Sequence, residues 1–479
     1  MSTISSAGIG SGLDVNAIIT QLLAIERQPI DALKVKSRQI DTQLSEFGKL
    51  KGLISTFRDA ALKLTRDETW LLATGTSSDA TAVGVAVRSG AALGSYSLEV
   101  QSLAASQTLA SGVFAGSTAT PGAGTLRIEL GAWDSGSAFT PKSGATAVDI
   151  TVTATDTLTD VRDKINAAGA GVTATIFTDA SGSRLLMRSS TTGAQNGFRT
   201  TVTDGDGNPA DAAGLSALAY DPSASIAQMT RTETAADAAA TLNGLAVASA
   251  SNTLTDIVDG VTLTLGKVTT APVEVKVVQD SAGMKTAVQA FADAYNALNT
   301  LLASELKYDA ASKTGGPLQG DSTAVAMQRQ LRTMMGTSSG ASTLFSRLSD
   351  VGLAVQRDGS IAVTATKLDT ALADVAEMKK LFANVDAGVP ANNGLARQFR
   401  LLGDAMLGVD GPISSRTEGL TMRKDFNADQ QERLETRVAM TEKRLRAQYT
   451  ALDEMMGKLT GLSAYVTQQM AMFNNSSKS

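Results

Sequence analysis

The chain has no histidine and no cysteine. The first absence removes the commonest general base and the commonest transition-metal ligand. The second removes disulfides, thiolate nucleophiles and thiolate metal sites. Carboxylate pairs and Ser–Lys dyads pass that filter, but no spacing of Asp and Glu singles one out. The chain therefore reads as a non-enzyme that takes no cofactor or metal. Aromatics are scarce, 4% of 479 residues, so small side chains must build the cores and the domains should be slender. There is no block of Lys and Arg, and the net charge of −5 is spread along the chain, which argues against a nucleic-acid partner. No stretch reaches the ~18 apolar residues of a transmembrane helix. Residues 1–12 lack the basic start of a secretory signal. On these signals alone the protein belongs in the cytoplasm.

What is present is organised by period. Asp14 is suited to cap a helix carrying Ile18, Ile19, Leu22, Leu23 and Ile25, which Pro29 should interrupt. A longer helix is predicted over 30–65. There Leu33, Ile40, Phe47, Ile54 and Ala61 recur at heptad spacing, beside a second row of Leu50, Phe57 and Leu64. From Leu71 the pattern turns to alternation, as in Val83, Val85 and Val87 or Tyr96, Leu98 and Val100, which predicts strands. Within the Gly/Ser/Thr-rich region 108–232, strands at Thr125–Leu130 and Val148–Thr153 precede a short helix. Thr157 and Asp160 form its capping box and Gly169 ends it. Strands Val172–Phe177 and Leu185–Met187 follow, and further strands are expected at Thr241–Val247, Val261–Leu265 and Val273–Val278. The string Thr157-Leu158-Thr159-Asp160-Val161 nearly recurs as Thr253-Leu254-Thr255-Asp256-Ile257, which suggests an internal repeat.

Helical spacing returns after Ser281 with Met284, Val288, Phe291, Tyr295, Leu298 and Leu302. Helices near 321–335 and 367–383 flank a hairpin turning at Asp358-Gly359. The last stretch is the most regular, with Val438, Leu445, Leu452, Leu459, Val466 and Phe473 at heptad spacing and no proline after Pro412. Its companion row includes Met455 and Leu462 but is half polar. Met456, Tyr465, Met470 and Met472 widen the apolar band toward the end. The methionines suit either core filling or an adaptable binding face. Pairing this seam with the 30–65 stripe would satisfy both.

Two strings imitate ligand loops. Gly8, Gly10 and Gly12 lack the preceding strand and the following Lys-Ser/Thr of a phosphate loop. Asp204, Asp206 and Asn208 begin like a calcium loop, but Pro209 and Leu215 stand where glycine and glutamate are required.

The opening Ser6-Ala7-Gly8-Ile9-Gly10-Ser11-Gly12-Leu13-Asp14, followed by Glu26-Arg27-Gln28-Pro29-Ile30, resembles the start of the flagellar hook-associated protein 2 family, the filament caps. Leu242-Asn243-Gly244, Asp259-Gly260-Val261-Thr262-Leu263, Ala294-Tyr295-Asn296-Ala297-Leu298 and Leu318-Gln319-Gly320-Asp321-Ser322 continue the resemblance in order, and Arg444-Leu445 and Ala451-Leu452-Asp453 extend it to the last helix. The unit 124–190 is similar to a small repeat of flagellins and hook-associated proteins. The resemblance is weakest at 108–123 and 191–232.

It implies a multi-domain α+β chain whose terminal α-helical coiled-coil or bundle segments pair, with β-rich head domains inserted. The expected division is 1–40 with 430–479 as the filament-core end, 41–70 with 281–429 as a helical leg, 71–107 with 233–280 as a β-rich head, and 108–232 as an outer head. It also implies a closed ring of about four to six copies, joined by heterologous contacts that close, at the outer tip of a flagellum. The partners would be flagellin, the hook–filament junction proteins and an export chaperone at the C-terminal helix. Export would run through the flagellar type III channel without a cleaved signal, which reverses the cytoplasmic reading. The expected interface residues are Ile40, Phe47 and Ile54 on the first stripe and Val438, Leu445, Leu452, Met455, Met456, Leu459, Leu462, Val466, Met470 and Phe473 on the last. An adhesin binding mucin or host glycans through region 72–280 is the competing expectation.

Overall fold

The structure, a computed structural model, describes residues 14–311 and 313–476, with side chains as far as Met472. The chain divides into a helical unit, up to Trp70 and from Met284, and a β-rich unit, Leu71–Gly283, inserted between its halves.

The helical unit opens with one unbroken helix, Val15–Leu64. Asp14 caps it, its Oδ1 accepting from the Ala17 amide at 2.9 Å. Pro29 does not interrupt it, contrary to the sequence expectation. A mid-helix proline costs about 3 kcal/mol through a lost hydrogen bond and a clash with the carbonyl four residues back. Here Ile25 and Pro29 are both exposed, so the freed carbonyl meets water, and Leu23 and Ile30 are buried on either side of the defect. The expected 30–65 stripe is buried as Ile40, Phe47, Leu50, Ile54, Phe57, Ala61 and Leu64. It does not pair with the 434–473 seam. Its second half faces the helices Ser281–Leu306 and Leu395–Leu407, where Phe57 lies 5.3 Å from Phe291, 5.9 Å from Tyr295 and 5.7 Å from Phe399 between ring centroids.

Helix Ser322–Met335 begins on Asp321, which accepts from the amides of Thr323 and Ala324. The hairpin Leu353–Val355 and Ile361–Val363 turns as expected, with Gly359 at φ +85°. It is tied down by Asn296, which both donates to the Ile361 carbonyl and accepts from its amide. The single helix expected near 367–383 is two, Ala365–Ala371 and Val375–Ala383. Asp374 breaks it by accepting from the Glu377 amide at 3.1 Å, a local bond that competes with helix continuation.

Glu377 in turn pins a loop. Its carboxylate accepts from Lys380 at 2.6 Å, the Ser342 hydroxyl at 2.7 Å and the Thr343 amide at 2.7 Å. The Lys380 bond, then those to Ser342 and Thr343, hold its pKa down to about 2. A lowered carboxylate pKa contributes stability present above the unfolded value near 4.5 and lost as pH falls toward 2. Glu377→Gln should therefore flatten the wild-type loss of stability between those pH values, read from urea midpoints at pH 7 and pH 3. An unchanged slope would remove Glu377 from the pH response.

In the β unit, a five-stranded antiparallel sheet has the order Ala73–Ser77, Val273–Gln279, Gly94–Ser102, Ala238–Leu242, Leu245–Ser249. A three-stranded sheet of Thr253–Val258, Val261–Leu265 and Val83–Val87 shares its core, which includes Val83, Leu98, Val100, Leu263 and Val275. The single strand expected at Thr241–Val247 is a hairpin. Asn243 and Gly244 both take positive φ, +50° and +83°, as a type I′ turn requires. The near-repeat is not structural. Thr157 starts a capped helix, Leu158–Ala167, whereas Thr253–Val258 is a strand. After the first string Val161 and Ile165 continue a helical face; after the second, Asp259-Gly260 turns into the next strand.

The second core of this unit lies wholly between Leu109 and Met229. A six-stranded sheet around Gly124–Trp133 and a four-stranded sheet around Gly182–Ser189 supply it, together with Leu158, Val161 and Ile165 of the short helix.

Candidate functional site

The two ends of the chain meet along one antiparallel helix pair. The second helix runs unbroken from Pro412 to Ser476. Its register against the first is fixed by polar contacts whose numbers rise on one helix as they fall on the other. Lys424 pairs with Asp41 at 2.6 Å, and Asn427 donates to the Leu33 carbonyl at 2.9 Å and the Ser37 hydroxyl at 2.8 Å. Gln431 reaches Ser37, Lys34 lies 4.0 Å from Glu435, and Arg446 donates to Asn16 at 3.2 Å. Asn427 is buried, and a buried polar residue in an apolar seam selects one register because any slip leaves its amide unpaired.

Between these ties sits an apolar cluster of Val15, Ile19, Leu23, Ile30 and Val438, flanked by Leu434, Leu445 and Tyr449. Each fully buried aliphatic chain contributes about 1.5–3 kcal/mol. The partner of the 434–449 seam is thus the segment 15–30 and not the 30–65 stripe, because the antiparallel register leaves the latter opposite the start of the long helix and the rest of the helical unit.

The expected interface residues divide accordingly. Ile40, Phe47, Ile54 and Val438 are buried inside the chain's own fold, and Leu445 is half-buried there. Leu452, Met455, Met456, Leu459, Leu462, Val466 and Met470 are between 39% and 67% exposed. Among the described residues these methionines pack into no core. The first helix starts at Val15, opposite 445–449, while the apolar band continues past it by some twenty residues of helix. Residues 1–13, with the glycine string Gly8, Gly10 and Gly12, and the Phe473 side chain lie outside the described residues. Sequence reasoning missed Asn427 as the register-setting residue. The signal was one Asn four and seven positions ahead of Gln431 and Leu434 on the same helical face.

Among the described residues no group of His, Cys, Asp and Glu is placed to hold a metal ion, and no helix is long and apolar enough to cross a membrane. The calcium-like string is a turn, in which Asp206 accepts from the Asn208 amide at 2.8 Å and Asp204 from the Ser216 amide at 2.9 Å.

The N-terminal profile of flagellar hook-associated protein 2 matches residues 11–107, its C-terminal profile 235–461, and the flagellin hook IN motif 138–191. The flagellar hook-associated protein 2 of Escherichia coli is 32% identical with all of both chains aligned. The B-type protein of Pseudomonas aeruginosa is 30% identical, with 97% of each chain covered. A crystal structure of three domains of the flagellar cap protein FliD from Escherichia coli superposes at a TM-score of 0.62, with 28% identity, covering 78% of this chain and 99% of that one. The chain belongs to the flagellar hook-associated protein 2 family, a family of structural proteins and not of enzymes.

Proposed function

We propose that this protein caps the distal end of a bacterial flagellar filament, as a homo-oligomer outside the cell. The observation that carries the reading is end-to-end similarity to hook-associated protein 2, together with an apolar helical band that lies exposed beyond its partner among the described residues. A contiguous exposed apolar band marks an interaction surface, which suits an assembly protein that must engage other subunits.

In finer detail, the copies close into a ring of about four to six through heterologous contacts. Exported flagellin folds and inserts beneath it. The band from Leu452 to Met470, continued by Phe473, engages an export chaperone first and then the filament core or the hook–filament junction proteins. Met-rich faces repack for more than one partner, which suits that succession. Residues 1–40 with 430–479 form the filament-core end, 41–70 with 281–429 the leg, 71–107 with 233–280 the head, and 108–232 the outer head. The two separate cores of the β unit support the last two divisions. Export proceeds through the flagellar channel without a cleaved signal, and a chain free of cysteine has no disulfide to undo on the way.

Cells lacking the protein should shed flagellin monomers into the medium and fail to swim, and the wild-type chain supplied in trans should reverse both. Normal filaments in its absence would end the cap reading.

A further inference from the structure

The long C-terminal helix carries opposite charge on two flanks. At about 100° per residue, Arg423, Arg433, Arg437 and Arg444 fall on one flank, and Glu418, Asp425, Asp429 and Glu432 fall on another about a quarter-turn away. All eight are exposed. None makes an ion pair among the described residues, although the helix makes several elsewhere, such as Lys424 with Asp41 and Arg446 with Glu442. Apolar side chains are set into the basic side: Phe426 and Met440 are 66% and 68% exposed. Two shallow grooves beside the first helix open there, one lined by Lys36, Arg423 and Phe426, the other by Arg433, Arg437 and Met440 with Glu26 as its one acid.

Unpaired like charges on a rigid helix repel and cost stability in an isolated chain. Eight of them sorted by sign, with exposed apolar anchors between, have the composition of an interface: charged edges about an aromatic and methionine centre. Flanks of opposite sign can meet about a two-fold axis or head to tail; only the second arrangement continues around a ring, so within the ring reading the surface is used head to tail. It fits a directional contact in which one copy offers its acidic flank to the basic flank of the next.

We propose that the occupant of the basic flank, Arg423 to Arg444, is the acidic flank of a second copy of this chain. The contact runs along the helical units of neighbouring copies and gives the ring its handed, head-to-tail order. This rests on the ring reading above and adds where on the helical unit the copies touch. Charge complementarity selects the occupant, since both halves of the match are on the same helix and unpartnered there. An acidic surface of some other exported protein is the competing outcome.

The test uses two full-length variants, Arg433→Glu/Arg437→Glu and Asp425→Arg/Asp429→Arg, with unchanged far-UV circular dichroism as the control for folding. Self-association is read by sedimentation velocity at low and high salt. Each variant alone should self-associate at least tenfold more weakly than wild type, because like charges then face each other. An equimolar mixture should recover association, since the two reversed flanks complement one another. Added salt should weaken the wild-type contact. Variants that associate as wild type does, or a mixture that stays dissociated, would overturn the flank assignment while leaving a ring intact. A wild-type chain that is monomeric at every concentration and salt would overturn the ring reading as well.

Discussion

Replacing Leu459, Leu462 and Val466 together by serine should abolish swimming and release flagellin into the medium, while leaving the purified protein as stable as wild type. The three side chains are 54%, 60% and 48% exposed, so their loss opens no cavity and leaves no buried group unpaired. Serine lowers helix propensity by a few tenths of a kcal/mol per residue against leucine, too little to melt a 65-residue helix. If the band is an interface, each apolar anchor removed from water on assembly is worth about 1.5–3 kcal/mol, and losing three together should weaken attachment by several powers of ten. The readouts are motility, flagellin in the medium and thermal unfolding. Full motility would remove the band from function. A lowered melting temperature would mean that it packs within the chain. This substitution separates the readings better than truncation at Leu434, which would also strip Val438 and Leu445 from the cluster around Ile19 and Leu23.

Phe57→Ala should destabilise the helical unit by about 4 kcal/mol. The ring is fully buried and touches three other rings, Phe291, Tyr295 and Phe399, contacts worth about 0.5–1.5 kcal/mol each beyond burial. Those partners come from helices more than two hundred residues later, so the cavity cannot close by shifting one segment. Each unit contains one tryptophan, Trp70 stacked on Phe382 and Trp133 against Phe139. In a Trp133→Phe background, urea unfolding followed by Trp70 fluorescence should shift to lower midpoint. In a Trp70→Phe background, followed by Trp133, the β unit should unfold where wild type does. A shift of both transitions would show that the units unfold as one, and no shift of either would contradict the aromatic core.

The alternation of Val83, Val85 and Val87 and the heptad of Ile40, Phe47 and Ile54 were legible because each rests on one dominant signal, burial of one face. The capping box at Thr157 and the hairpin at Asp358-Gly359 were legible because turn and cap chemistry is local. The errors came where two signals compete. Pro29 reads as a breaker, yet apolar packing on both sides and a solvated carbonyl let the helix continue. Asn243-Gly244, a strong hairpin signal, sits inside an alternating run that continues across it. Which seam meets which stripe was not legible at all. Every heptad row looks alike in sequence, and the register is chosen by single polar residues such as Asn427 whose partners lie nearly four hundred positions away. Of the candidate interface, the sequence identified the apolar band but could not tell its covered half, Val438 and Leu445, from its open half. That boundary is set by where the other helix begins.

The same separation bears on the order of events as the chain folds. Asn427 and Leu33 are 394 positions apart, so the helix pair closes one of the longest loops the chain can make. Loop closure of that length costs on the order of 5 kcal/mol, and contacts of such high sequence separation form slowly. The β unit, whose two cores draw only on residues between 73 and 277, can form before either end is in place. The helical pair has to wait until both termini are in place. The terminal helix pair is therefore completed last, after a β unit that can fold without it.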